Sequence, residues 1–162
     1  MSKKLAYYFN GKIDKESTEK FISFCNSNDG KFTLYLSSGG GENWCGEVIQ
    51  DLINGRCKEI VALGQVSSCA FKIFFSAKCK KRIGHRCYGV FHQTTWQFPV
   101  GQNGRYEKDT EMKIENFKKG MVDDVEWCKE IGLTPKEIKA IKNNEDVYFD
   151  TERLNELIIF NS

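Results

Sequence analysis

The chain has 162 residues, 40% apolar and 28% charged, which fits one soluble domain spanning 1–162 with a real core. A formal net charge of +2 is too small to argue for a nucleic-acid or membrane partner. Leu5 to Phe9 is too short for a signal-peptide core, and no apolar run approaches the length of a membrane span. With no such segment, the seven irregularly spaced cysteines read as reduced thiols of a cytoplasmic protein.

In chain order, Leu5 to Phe9 reads as a short buried strand closed by Asn10-Gly11. Asp14 caps a helix to about Cys25. Phe32 to Leu36 is a second strand, and residues 37–41, Ser-Ser-Gly-Gly-Gly, form a loop. Trp44, Val48, Ile49, Leu52 and Ile53 recur at helical spacing before Gly55. Glu59 to Leu63 is a third strand, Gly64 to Ser67 a loop, and Ser68 to about Ala77 a helix. A basic run, 78–82, reads as a solvated edge beside a strand at Tyr88 to His92. Residues 93–104 are loop-like. A long helix is expected from about Arg105 to Glu130, a shorter one from Thr134-Pro135, and a last one capped by Asp150. The alternation of strands and helices predicts an α/β fold of repeated βα units with a mainly parallel sheet. Ligands in such folds lie beyond the carboxyl ends of the strands. Both the 37–41 and the 64–67 loops fall there.

Ser67 and Ser68 stand where a helix begins, which suits an ordinary N-cap. The same position suits a nucleophile, because a helix N-terminus presents unpaired N–H groups to a developing oxyanion. The base a serine needs is usually histidine. Of the two histidines, His92 ends a predicted strand, whereas His85 is less well placed. The triglycine loop offers a further N–H and a close backbone approach, but no Lys-Ser/Thr pair follows it as in a phosphate-binding loop. Cys79, His85, Cys87 and His92 cluster in sequence without a recognised zinc spacing, so no metal and no cofactor is expected.

Together these pieces resemble the proteolytic subunit of the ATP-dependent Clp protease, a serine peptidase of crotonase-like fold. That family's loop reads Ser-Pro-Gly-Gly; here it is Ser38-Gly39-Gly40-Gly41, leading to Cys45-Gly46 and Gln50-Asp51. Its nucleophile motif, Gly-Gln-Ala-Ala-Ser-Met-Gly, is matched by Gly64-Gln65-Val66-Ser67-Ser68-Cys69-Ala70. Its strand ending in His-Gln-Pro is matched by Val90-Phe91-His92-Gln93-Thr94. The resemblance implies Ser68 as nucleophile and His92 as base. It also implies an oxyanion hole from the N–H groups of Gly41 and Cys69, and a substrate groove along Gly40 and the neighbourhood of Thr95. The long helix resembles the family's handle, and the implied assembly is a homo-oligomeric ring, heptameric or stacked in pairs, acting on peptides or unfolded proteins. The third triad position falls on Asn143, where the family carries Asp; after a small register shift Glu145 or Asp146 would take the place. The chain begins almost at its first strand, so docking to an ATP-dependent unfoldase stays open. Two other readings use the same residues. One is a catalytically impaired ring subunit that binds peptides or a partner. The other is an acyl-CoA enzyme of crotonase-like fold, for which Glu42 is the nearest acid.

Overall fold

The computed structural model describes residues 5–94 and 108–162. The chain divides into two compact units, Met1–Phe91 with Tyr148–Ser162, and His92–Val147.

The first unit opens with β1 (Ala6–Asn10) and α1 (Lys15–Asn26). Asp14 caps α1 as expected, and Ser17 answers it in a capping box: each side chain bonds the other's backbone N–H, at 2.9 and 3.0 Å. β2 (Phe32–Ser38) pairs in parallel with β1. α2 (Asn43–Ile53) comes next, and then β3 (Cys57–Ser67), which pairs in parallel with β2. α3 (Cys69–Ser76) leads to β4 (Lys80–Ile83) and β5 (Tyr88–Phe91), both parallel to β3. The sheet runs β1-β2-β3-β5-β6, with β4 also on β3. β6 is Val147–Phe149, and α6 (Thr151–Phe160) closes the chain behind its Asp150 cap.

Two elements depart from expectation near the site. The predicted 64–67 loop is strand: β3 runs through it to Ser67. Its residues 59–62 pair with β4 and its residues 65–67 with β5. Between Leu36↔Ala62 and Ser38↔Val66, β3 spends more residues than β2, a bulge centred on Gly64 at φ +61°. Such a bulge bends a strand and re-aims the residues beyond it. The basic run is itself an edge strand, β4, whose Lys80 and Arg82 reach Glu59 at 3.8 and 3.5 Å. Charged side chains on an edge strand keep it from pairing with other chains.

Aromatic rings fill the core. Tyr7, Phe9, Phe21, Phe24 and Phe32 pack between β1, β2 and α1. Phe71, fully buried, packs on Phe75, Phe91 and Phe149 with ring centroids 4.7 to 5.3 Å apart. Each buried ring is worth roughly 1.5–3 kcal/mol, so these clusters anchor α3 at a fixed height on the sheet. Gly89 lies beneath it, where a Cβ would stand 3.0 Å from the Phe71 ring and force it to give.

The second unit holds α4 (Lys108–Glu130) and α5 (Pro135–Lys142). The expected start of the long helix at Arg105 lies outside the described residues. Thr134 caps α5, with Glu137 completing a capping box and Pro135 in the first turn. Among the described residues, no helix is long and apolar enough to cross a membrane.

Candidate active site

The two serines occupy different environments. Ser67 ends β3, is buried, and its hydroxyl accepts a 2.9 Å hydrogen bond from Gln65 Nε2. Ser68 sits at the N-cap of α3, yet its side chain makes no capping bond. Its backbone lies at φ 54°, ψ −127°, a conformation ordinarily reserved for glycine in tight turns. For a non-glycine residue it costs about 1–3 kcal/mol. The Ser68 N–H is fixed at 2.8 Å on the Val90 carbonyl of β5, and its own carbonyl accepts from Phe71 at 3.0 Å. A half-buried serine on a sharp, strained strand-to-helix turn, with its hydroxyl unused by the helix, is the geometry in which serine serves as a nucleophile.

The triglycine loop presses against this turn. A Cβ on Gly40 would lie 2.6 Å from Ser68 Cβ and 2.7 Å from the Ser67 carbonyl oxygen. A Cβ on Gly41 would lie 2.0 Å from the Ile13 carbonyl oxygen. Only glycine fits at either place. The Gly40 carbonyl accepts from Ile13 N–H at 3.0 Å, and Glu42 N–H returns to the Ile13 carbonyl at 2.8 Å. In a trans peptide the carbonyl and the next N–H point in opposite directions, so Gly41 N–H is turned away from Ile13. The N–H groups of Gly41, Cys69 and Ala70 all act on the Cys69 thiol, drawing its pKa down. Donors from two separate elements thus converge beside Ser68. Preorganised N–H groups of this kind stabilise negative charge that develops in front of them.

From the sequence, cysteine at position 69 in place of the family's methionine is expected to matter little, since the backbone N–H does the work. Its thiol is buried, and burial pushes its pKa up to about 11 against the opposing pull of those N–H groups. A thiol so protonated is a poor nucleophile near neutral pH, which leaves Ser68 as the nucleophilic candidate at this turn. The only sequence signal was cysteine at the first helical position, where a side chain lies close to the free N–H groups.

In the second unit, His92 is half-buried, and its Nδ1 stands 2.9 Å from the Gln93 carbonyl oxygen. A carbonyl only accepts, so this contact is made by an Nδ1–H, and in the neutral ring so held the lone pair lies on Nε2. That is the tautomer a general base requires. Asn143 is the exposed C-cap of α5. Its Nδ2 lies 3.5 Å from Glu145 Oε1, at the outer limit of a hydrogen bond, and Glu145 and Asp146 are both exposed. Thr95 lies outside the described residues. Glu42 accepts from the Trp44 indole at 2.7 Å. His85 is exposed. Among the described residues, no three His, Cys, Asp or Glu side chains gather as metal ligands would.

No family model matches this sequence, and no curated protein does. Among solved structures, an Asn-to-Asp mutant of ClpP1 from Listeria monocytogenes is similar over 95% of this chain and 87% of that one. The identity is 17% and the TM-score 0.67. A parallel sheet of βα units that delivers a strained serine against a glycine loop, and that superposes on this neighbour nearly end to end, gives the chain a Clp-protease-like fold.

Proposed function

We propose that the protein is a serine endopeptidase acting through an acyl-enzyme. Ser68 Oγ attacks the peptide carbonyl while His92 Nε2 takes its proton and then passes one to the leaving amine. The N–H groups of Gly41 and Cys69 hold the oxyanion, water releases the acyl group, and Gly40 with Thr95 lines the substrate groove. The observation that carries this reading is the Ser68 backbone, strained at φ 54° with a hydroxyl that caps nothing. Strain of that kind persists where the surrounding structure over-determines it, and it clusters at functional sites. His92 follows two residues along the chain from Val90, whose carbonyl anchors Ser68. Peptides or unfolded proteins are the substrates, and a homo-oligomeric ring is the assembly, with docking to an unfoldase left open. No cofactor takes part.

Asn143 favours a second reading, a lapsed peptidase that binds peptides or a partner. It offers no negative charge to an imidazolium. In one serine protease, the Asp-to-Asn exchange costs about 10⁴ in turnover through the wrong tautomer. The Gln93 carbonyl beside Nδ1 favours the productive tautomer without an Asp, which supports a smaller penalty for this chain. Labelling with a fluorophosphonate, on wild type, Ser68→Ala and Asn143→Asp, separates the readings. The peptidase reading expects label in wild type and none in Ser68→Ala. Label only in Asn143→Asp identifies the lapsed enzyme. Label retained in Ser68→Ala, or none in either Ser68-bearing protein, rejects the assignment of Ser68.

A further inference from the structure

Gln65 has no part in the chemistry above, yet it stands where the sheet holds the site least. The register passes from Leu36↔Ala62 to Ser38↔Val66, so residues 63–65 of β3 stand opposite Ser37 alone. Gly64 lies in that gap at φ +61°. A bulge leaves its extra residues unpaired and the ladder locally broken. Just beyond it, β3 must still deliver Ser68 to a fixed point. The glycine loop leaves β2 at the same level, because Ser38 is the residue that pairs with Val66.

The half-buried Gln65 side chain spans this weak point. Its Nε2 donates to the buried Ser67 hydroxyl at 2.9 Å. The same amide lies on Gly39, where a Cβ would meet Nε2 at 3.7 Å, Oε1 at 3.9 Å and the amide carbon at 4.0 Å. One side chain thus touches the residue before Ser68 and the residue before Gly40. The two segments meet again one step on, since a Cβ on Gly40 would lie 2.7 Å from the Ser67 carbonyl oxygen. On the loop side, the buried Ser38 hydroxyl accepts from the Gly40 N–H at 3.0 Å.

We propose that Gln65 is a positioning residue for the nucleophile turn. Bonded to Ser67 and laid on Gly39, its amide holds the start of α3 and the glycine loop in one register across the bulge. The N–H groups of Cys69 and Gly41 come from these two segments, and they stabilise one oxyanion only while the segments keep their spacing. Gln65 touches neither substrate nor the reacting atoms; it acts through Ser67 and the loop. This role rests on Ser68 being the nucleophile proposed above.

The test follows fluorophosphonate labelling of the full chain over a range of probe concentrations, at one protein concentration. The proteins are wild type, Gln65→Ala, Gln65→Met, Ser67→Ala and Gln65→Ala/Ser67→Ala. In Gln65→Ala the limiting labelling rate should fall about 10- to 100-fold, the penalty for donors displaced by up to about 1 Å. The half-saturating probe concentration should stay within about twofold, because the displaced groups are used only in the transition state. Gln65→Met keeps the length without the bond and should be as slow. Ser67→Ala should be slow as well, and the double variant no slower than the slower single one, as for two halves of one contact. An unchanged limiting rate in Gln65→Ala, a Gln65→Met protein at the wild-type rate, or additive losses in the double variant overturns the proposal. Hydrogen exchange gives a readout independent of reaction. In Gln65→Ala the Gly40 and Gly41 amides should exchange several-fold faster while those of α1 keep the wild-type rate; unchanged loop exchange, or equal acceleration in α1, overturns the clamp. A wild type that takes no label defeats the peptidase reading itself. A wild type that labels, with Gln65→Ala labelling as fast, defeats the role of Gln65 alone.

Discussion

If the Ser68 backbone is strained, removing its Cβ should stabilise the fold. Ser68→Ala deletes the hydroxyl but keeps the strain, so Ser68→Gly compared with Ser68→Ala isolates the backbone. Glycine at φ 54°, ψ −127° relieves about 1–3 kcal/mol. Against this stand about 0.5–1 kcal/mol of extra unfolded-chain entropy and, for a half-buried methylene, roughly 0.4 kcal/mol of lost burial. The expected net gain is about 1 kcal/mol, or roughly 2–4 °C in Tm for a chain of this size. Urea unfolding and calorimetry at one fixed protein concentration would measure it, since assembly shifts the midpoint. A Ser68→Gly protein about 1 kcal/mol less stable than Ser68→Ala would mean that the turn is an ordinary one. The inference from strain to nucleophile would then fail.

The same geometry carries three further outcomes. Gly41→Ala places a Cβ on the Ile13 carbonyl; it should cost about 2–6 kcal/mol from strain and overpacking and abolish fluorophosphonate labelling. Cys69→Ala should leave labelling intact or faster, because the donors are backbone N–H groups; loss of labelling in a folded variant would give the thiol itself a role. The Asp14 carboxyl is held below the usual aspartate range, first by the Ser17 N–H and then by its hydroxyl. Its contribution to stability is therefore present above the ordinary aspartate pKa and lost as pH falls through the lower, folded one. Asp14→Asn keeps a good cap and should flatten that acid limb in pH-dependent denaturation while changing little at neutral pH.

The order of elements was legible because it rests on local chemistry. Asp14, Thr134 and Asp150 announce helices through bonds to N–H groups three residues away, and apolar runs of four to six residues mark the strands. The Gly-Gln offset separated Ser68 from Ser67 only through a resemblance; locally, either serine could cap. What distinguishes them is tertiary. The Gly64 bulge, the switch of β3 from β4 to β5, and Gly40 packed on Ser68 together impose the positive φ. Strands β4 and β6 went unread because one is a basic run and the other three residues long, and each becomes strand through partners distant in sequence. The sulfur of Cys69 tells the same story. Burial pushes its pKa up, and N–H groups brought close by folding pull it down. By itself the sequence determined the helices, the strands that are apolar runs, and which residue types could do chemistry, since those depend on neighbours along the chain. Only the tertiary structure decided which serine is strained and where the backbone donors gather, because each requires groups remote in sequence to share one point in space.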